Sequence, residues 1–104
     1  MKFEFKDKHL IDLYKYGKSS KYKFLPQKSI EKFYMSIEVI ENAETLQDLW
    51  ILKSLCFEKL QGAKNHFSMR LDRKHRLELE IHFENGKSIK VSVVDILKIS
   101  KHYK

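Results

Sequence analysis

At 104 residues the chain is long enough for one domain with one modest core. Hydrophobic residues make up 42% and aromatic residues 12%, which excludes a disordered chain, and no apolar run reaches the roughly 18 residues of a membrane span. The formal net charge of +7 fits a polyanionic partner, either nucleic acid or an acidic protein surface.

Met1 to Asp7 alternates charged and aromatic residues, unlike a signal peptide, so the expected compartment is the cytoplasm. Phe3 and Phe5 share one face, with Lys2, Glu4 and Lys6 on the other, which predicts a short strand. Asp7 is placed to cap a helix carrying Leu10, Ile11, Leu13 and Tyr14, and Gly17 to stop it. The Lys15–Lys23 loop interleaves lysines with Tyr16 and Tyr22, a pattern that suits a phosphate backbone with stacked bases as well as an ordinary exposed loop. Pro26 then opens an amphipathic helix with Ile30, Phe33, Tyr34, Ile37 and Ile40 on one side, closing near Asn42. Thr45 and Asp48 form a capping box for a short turn carrying Leu46, Leu49 and Trp50, read as core.

From Ser54 the period becomes two. Leu55–Leu60 reads as a strand. Its Cys56, alone in the chain, rules out an internal disulfide or a cysteine-based zinc cluster, and between Leu55 and Phe57 it reads as a buried thiol. The five histidines lack zinc-site spacing, so no metal or other cofactor is expected. Parity pairs Leu71 with Leu77, Met69 with Leu79 and Phe67 with Ile81. The other face then sets Asp72 opposite Arg76 and Arg70 opposite Glu78. A three-residue loop, Glu84-Asn85-Gly86, sets Ile81 opposite Ile89, Leu79 opposite Val91, Leu77 opposite Val93 and Glu80 opposite Lys90. The alternation fails at Val93, Val94, Ile96, Leu97 and Ile99, through a bulge near Asp95 or through burial of both faces. Helices would cover one face of this antiparallel meander. The other face, with Ser68, Arg70, Asp72, Arg76, Glu78, Glu80, Lys90 and Ser92, would stay partly open. The run ends in Ser100-Lys101-His102-Tyr103, a packet of groups suited to proton transfer.

This layout resembles the RelE/ParE superfamily of bacterial toxins, within it the HigB-like branch. The segments that carry the resemblance are Leu55-Cys56-Phe57-Glu58-Lys59-Leu60-Gln61-Gly62, then His66 to Leu71 with Lys74-His75-Arg76-Leu77, then Val93 to Tyr103. The resemblance implies a single toxin domain over residues 1–104. Its implied fold is α+β, with an N-terminal strand and two helices packed on one face of an antiparallel four- to five-stranded sheet. It implies a metal-independent endoribonuclease of a type II toxin–antitoxin pair that cuts mRNA on the ribosome, using the RNA 2′-hydroxyl as nucleophile. Its implied partner is a HigA-like helix-turn-helix antitoxin. Carried over by position, Arg76 binds the scissile phosphate, His102 transfers protons and Tyr103 stacks or donates a hydrogen bond. Lys59, Lys64, Arg70, Lys90 and Lys101 form the RNA-binding set. The family's terminal Asp-Tyr-His can also be laid on Asp95-Ile96-Leu97, where only the Asp is kept. The later placement is preferred because Ser-Lys-His-Tyr follows the apolar strand without a gap. Two further readings share the layout: a ParE-like toxin that inhibits DNA gyrase without nuclease activity, and a catalytically inactive basic RNA-binding module.

Overall fold

The computed structural model of the chain describes residues 1–84 and 90–101. The elements run β1 (Phe3–Phe5), α1 (Lys8–Tyr16), α2 (Gln27–Asn42), α3 (Leu46–Ile51), a 3₁₀ turn (Lys53–Leu55), β2 (Glu58–Lys59), β3 (His66–Arg70), β4 (His75–Phe83) and β5 (Val91–Lys101). The five strands form one mixed sheet in the order β1-β5-β4-β3-β2. Strands β2 to β5 are antiparallel, while β1 lies parallel to β5, with Phe3 beside Val94 and Phe5 beside Ile96. Strand β5 pairs on both sides, with β1 and with β4. It is a central strand here, not an edge.

The helices form for local reasons. The Asp7 carboxylate accepts the His9 N–H at 2.9 Å and caps α1; Gly17, left-handed at φ 73°, closes it. Thr45 and Asp48 make a reciprocal capping box at α3. Leu10 and Leu13 of α1 and Ile30, Phe33, Ile37 and Ile40 of α2 are buried in one core with Phe67, Met69, Leu77, Leu79 and Ile81 of the sheet. Asp7 also accepts the Tyr22 hydroxyl at 2.7 Å and Lys21 Nζ at 2.8 Å, and the Tyr22 oxygen accepts the Ile99 N–H at 3.3 Å. One carboxylate thus ties α1, the following loop and β5 together.

Several expectations are corrected. Tyr22 is 2% exposed and serves as an anchor, so it has no face to offer a base; Tyr16 keeps an exposed ring. The extended run from Leu55 is broken by the 3₁₀ turn and by a left-handed Cys56 (φ 47°), leaving Glu58–Lys59 as the strand. Leu55 and Phe57 take the inward positions, and Cys56 turns its thiol outward. Trp50 is also half-exposed, packing edge-on against Phe57 at 4.8 Å.

Both hairpin registers are displaced. Between β3 and β4 the pairs are Arg70–Arg76, Met69–Leu77, Ser68–Glu78 and Phe67–Leu79, a shift of two residues that preserves the faces. Asp72 sits in the turn instead of pairing with Arg76. Between β4 and β5 the pairs are Phe83–Val91, Ile81–Val94, Leu79–Ile96 and Leu77–Ile99, with register shifts between His82 and Phe83 and between Glu78 and Leu79. The irregularities on either side of Asp95 let Val91, Val94, Ile96 and Ile99 all face the core despite their uneven spacing. The expected Asn85-Gly86 turn lies outside the described residues. No helix among those described is long and apolar enough to cross a membrane.

Removing the Asp7 carboxylate should weaken three elements at once. Asp7→Ala is expected to cost about 2 kcal/mol in urea unfolding. Combined with Tyr22→Phe, its cost should fall short of additive by at least ~0.5 kcal/mol. Strict additivity would show that the loop and the helix cap are independent.

Candidate functional site

The sheet face away from the helices is ordered by charge. At one end the cross-strand row Glu4–Asp95–Glu80–His66 is rich in carboxylates. The next row, Glu58–Ser68–Glu78–Lys98, is buried at its centre, where Ser68 is 1% and Glu78 7% exposed. At the far end come Arg70, Arg76 and Ser100; the next pair, His75 and Lys101, alternates toward the helix-covered side at the strand ends.

Two arginines directly opposite across a ladder repel unless something anionic lies between or beside them. The neighbouring carboxylate is only a partial answer: Glu58 Oε1 is 3.8 Å from Arg76 Nη1, and Glu58 is itself mostly exposed. Arg76 Nε and Ser100 Oγ are both buried and have no hydrogen-bond partner among the described residues. A guanidinium with unused donors suits a phosphate, which offers several acceptor oxygens to its planar fork.

The same cleft is lined by Cys56, Glu58, Ser68, Arg70, Asp72, His75 and Arg76. Asp72 organises its rim. Its Oδ1 accepts the Lys74 N–H at 2.7 Å and the His75 N–H at 2.8 Å, closing the β3–β4 turn. Ser29 of α2 donates to its Oδ2. His75 Nδ1 lies 3.0 Å from both carboxylate oxygens. Burial works to raise the Asp72 carboxyl, but the bonds from Ser29, His75 and Lys74 outweigh it and hold its pKa at about 2. An ionised carboxylate only accepts, so Nδ1 of His75 is the nitrogen that donates to Asp72. The His75 ring is buried and packs at a tilt against Phe24, with ring centroids 5.0 Å apart.

Of the residues singled out from sequence, Arg70, Arg76 and Lys101 come to this end of the sheet. Lys59 and Lys64 border a separate exposed groove along residues 59–64. Lys90 pairs with Glu84 at 3.6 Å, not with Glu80. Glu84 is eight residues from Arg76 along β4, about 27 Å at the usual strand rise, so Lys90 does not join the arginines. His102 and Tyr103 lie outside the described residues. The Asp72–His75 pair was missed. Its signal is the Asp-x-x-His spacing in a polar turn, where an Asp side chain commonly takes the N–H groups two and three residues on.

At the acidic end, Glu80, His82 and Asp95 bring a donor atom each to within 4.8 Å of one another. These are the described residues best arranged to hold a metal ion.

The chain matches the family of HigB-like toxins, described as the RelE-like toxin of the type II toxin–antitoxin system HigB, over residues 3–96. That span stops short of Ser100 to Tyr103. Among solved structures, a YoeB/ParE toxin from Agrobacterium tumefaciens is similar with a TM-score of 0.57 at 14% identity, over 99% of this chain and 100% of that one. No curated protein matches.

Asp72 has a folded pKa below its unfolded value, so its contribution is present above about pH 4 and is lost as the pH falls through about 2. Asp72→Asn should be less stable than wild type at pH 7 by about 1–2 kcal/mol, the shift being discounted for partial exposure. In urea unfolding at pH 7, 4 and 2.5 the gap should narrow toward acid. A gap that does not change with pH would contradict the assignment.

Proposed function

The chain belongs to the HigB-like family of RelE-like type II toxins, and on that premise we propose that it is a ribosome-dependent endoribonuclease that cuts mRNA and inhibits translation in the cytoplasm. A type II toxin has an antitoxin partner, and the reading here is a HigA-like helix-turn-helix protein. A small helix-turn-helix reading frame beside the gene is the check.

The observation that carries the nuclease reading is the Arg70–Arg76 pair in one cleft with the Asp72–His75 dyad. In the proposed reaction the RNA 2′-hydroxyl attacks the adjacent phosphorus and gives its proton to an imidazole nitrogen. The bond to the 5′-oxygen breaks, and that oxygen takes up a proton. The products are a 2′,3′-cyclic phosphate and a 5′-hydroxyl. Arg76 and Arg70 meet the charge that builds on the phosphoryl oxygens, so the cleavage step needs no metal. Asp72 acts as a positioning residue, orienting the His75 ring through Nδ1.

Two imidazoles compete for the proton-transfer role. His102 is the choice by resemblance, with Tyr103 beside it to stack or donate. His75 is favoured by its carboxylate partner and its place in the arginine cleft. The gyrase-inhibiting alternative draws on the fold neighbour, whose name includes ParE. It predicts loss of supercoiling with mRNA intact.

Reporter mRNA cleavage on programmed ribosomes distinguishes these readings. Arg76→Ala should lose ~10²–10³-fold. Loss of the proton-transfer imidazole should cost ~10²–10⁴-fold, and His75→Gln is expected to show it more strongly than His102→Ala. The reverse order would move the role to His102. Equal cleavage by wild type, Arg76→Ala and both histidine variants would reject the site.

A further inference from the structure

The carboxylate end of the open face holds a constellation that the nuclease reading does not use. Glu80 and His82 are two apart on β4, so they project from one face of the strand, and Asp95 lies directly opposite Glu80 on β5. His82 Nε2 sits between the two acids, 2.8 Å from Asp95 Oδ2 and 3.6 Å from Glu80 Oε1. A ladder register shift between His82 and Phe83 adjoins the group.

Asp95 supplies the independent sign of a missing ligand. The residue is 8% exposed, and its Oδ1 is shut off from solvent without accepting a hydrogen bond. The nearest cation to that oxygen is Lys6 Nζ, at 3.9 Å and on a half-exposed side chain that also reaches Glu4. A buried carboxylate oxygen left this way is costly unless something positive takes it.

We propose that Glu80, His82 and Asp95 form a binding site for one divalent cation of the zinc class. One imidazole nitrogen with two carboxylate oxygens is the donor set such ions accept, with bonds of about 2.0–2.2 Å. In tetrahedral geometry at those bond lengths the donors stand roughly 3.3–3.6 Å apart. The donor atoms lie within 4.8 Å of one another, so side-chain rotation has to draw them in to that spacing when the ion binds. His82 gives up the Nε2–H bond to Asp95; the proton leaves Nε2, with the neutral ring keeping its one N–H on Nδ1, and the lone pair so freed turns to the ion. Two carboxylates balance the charge of the cation, and Lys6 is free to swing outward. The ion would staple β4 to β5 about 13 Å along the strand from Arg76. The site therefore stands apart from the arginine cleft and does not depend on the nuclease reading.

Titrating the metal-free full chain with Zn²⁺ tests the proposal by calorimetry and by the unfolding temperature. Binding should saturate at one ion per chain and raise the unfolding temperature. His82→Gln and Asp95→Asn should each weaken binding by at least ~10-fold. Cys56→Ser, which alters the other cleft, should leave binding unchanged. Far-UV circular dichroism reports folding, and Glu80→Gln, at the more exposed end of the trio, carries the same expectation if a buried variant fails to fold. Absence of a Zn²⁺-dependent rise in wild type overturns the site. So does wild-type affinity in the folded ligand variants, or loss of binding in Cys56→Ser alone.

Discussion

The arrangement of the arginine cleft depends on one carboxylate. Asp72 accepts the backbone of its own turn, the hydroxyl of Ser29 on α2 and the imidazole of His75. Because it is used in the turn, it is not available to pair with Arg76 in the ladder. The hairpin therefore closes with Arg70 facing Arg76. A like-charge pair at that position is unfavourable for the isolated fold and useful for holding a phosphate. The bond from Ser29 fastens the turn to the helical layer, so the position of His75 relative to the sheet is set by packing and not by an exposed loop.

The rest of the open face follows from the same sheet. Reading from Arg76 toward Phe83, the side chains pass from guanidinium groups through a buried Ser68 and Glu78 to Glu80, His82 and Asp95. Net charge alone does not describe this surface, because on this face Arg70 and Arg76 stand at one end and Glu80 and Asp95 toward the other. The core beneath is aliphatic and aromatic packing against α1 and α2. It leaves the polar residues free to differ without changing the fold, which is why family membership and fold do not by themselves identify a site.

What could be read from the sequence was what local chemistry decides. The caps at Asp7 and Gly17, the capping box at Thr45, the apolar stripe of α2 and the parity of β3 and β4 all depend on residues close in the chain. Register does not. A two-residue slip keeps every face in place, and the charged pairs that would choose between alternatives contribute only a few tenths of a kcal/mol each. The turn competes with them, since Asp72 satisfies several donors there at once. The displaced β4–β5 register has a similar origin: irregularities near Ser92 and Leu97 accommodate residues that strict alternation cannot place. Cys56 was misjudged because its apolar neighbours took the interior, and Tyr22 because its hydroxyl finds Asp7 and Ile99 from a distant loop. The His75–Asp72 pair was visible only as a spacing until the turn gave it a shape.

The central claim is that the cleft between Arg70 and Arg76, beside His75, is where a polyanion is held. Its most direct test is an NMR titration of the protein with a short RNA whose 2′-hydroxyls are methylated, so that it binds without being cut. The account predicts that the side-chain signals of Arg70, Arg76 and His75 shift together and saturate at one concentration, with smaller changes along residues 59–64. Shifts confined to the lysine-bordered groove or to the Lys15–Lys23 loop, with the three cleft residues unmoved, would contradict it.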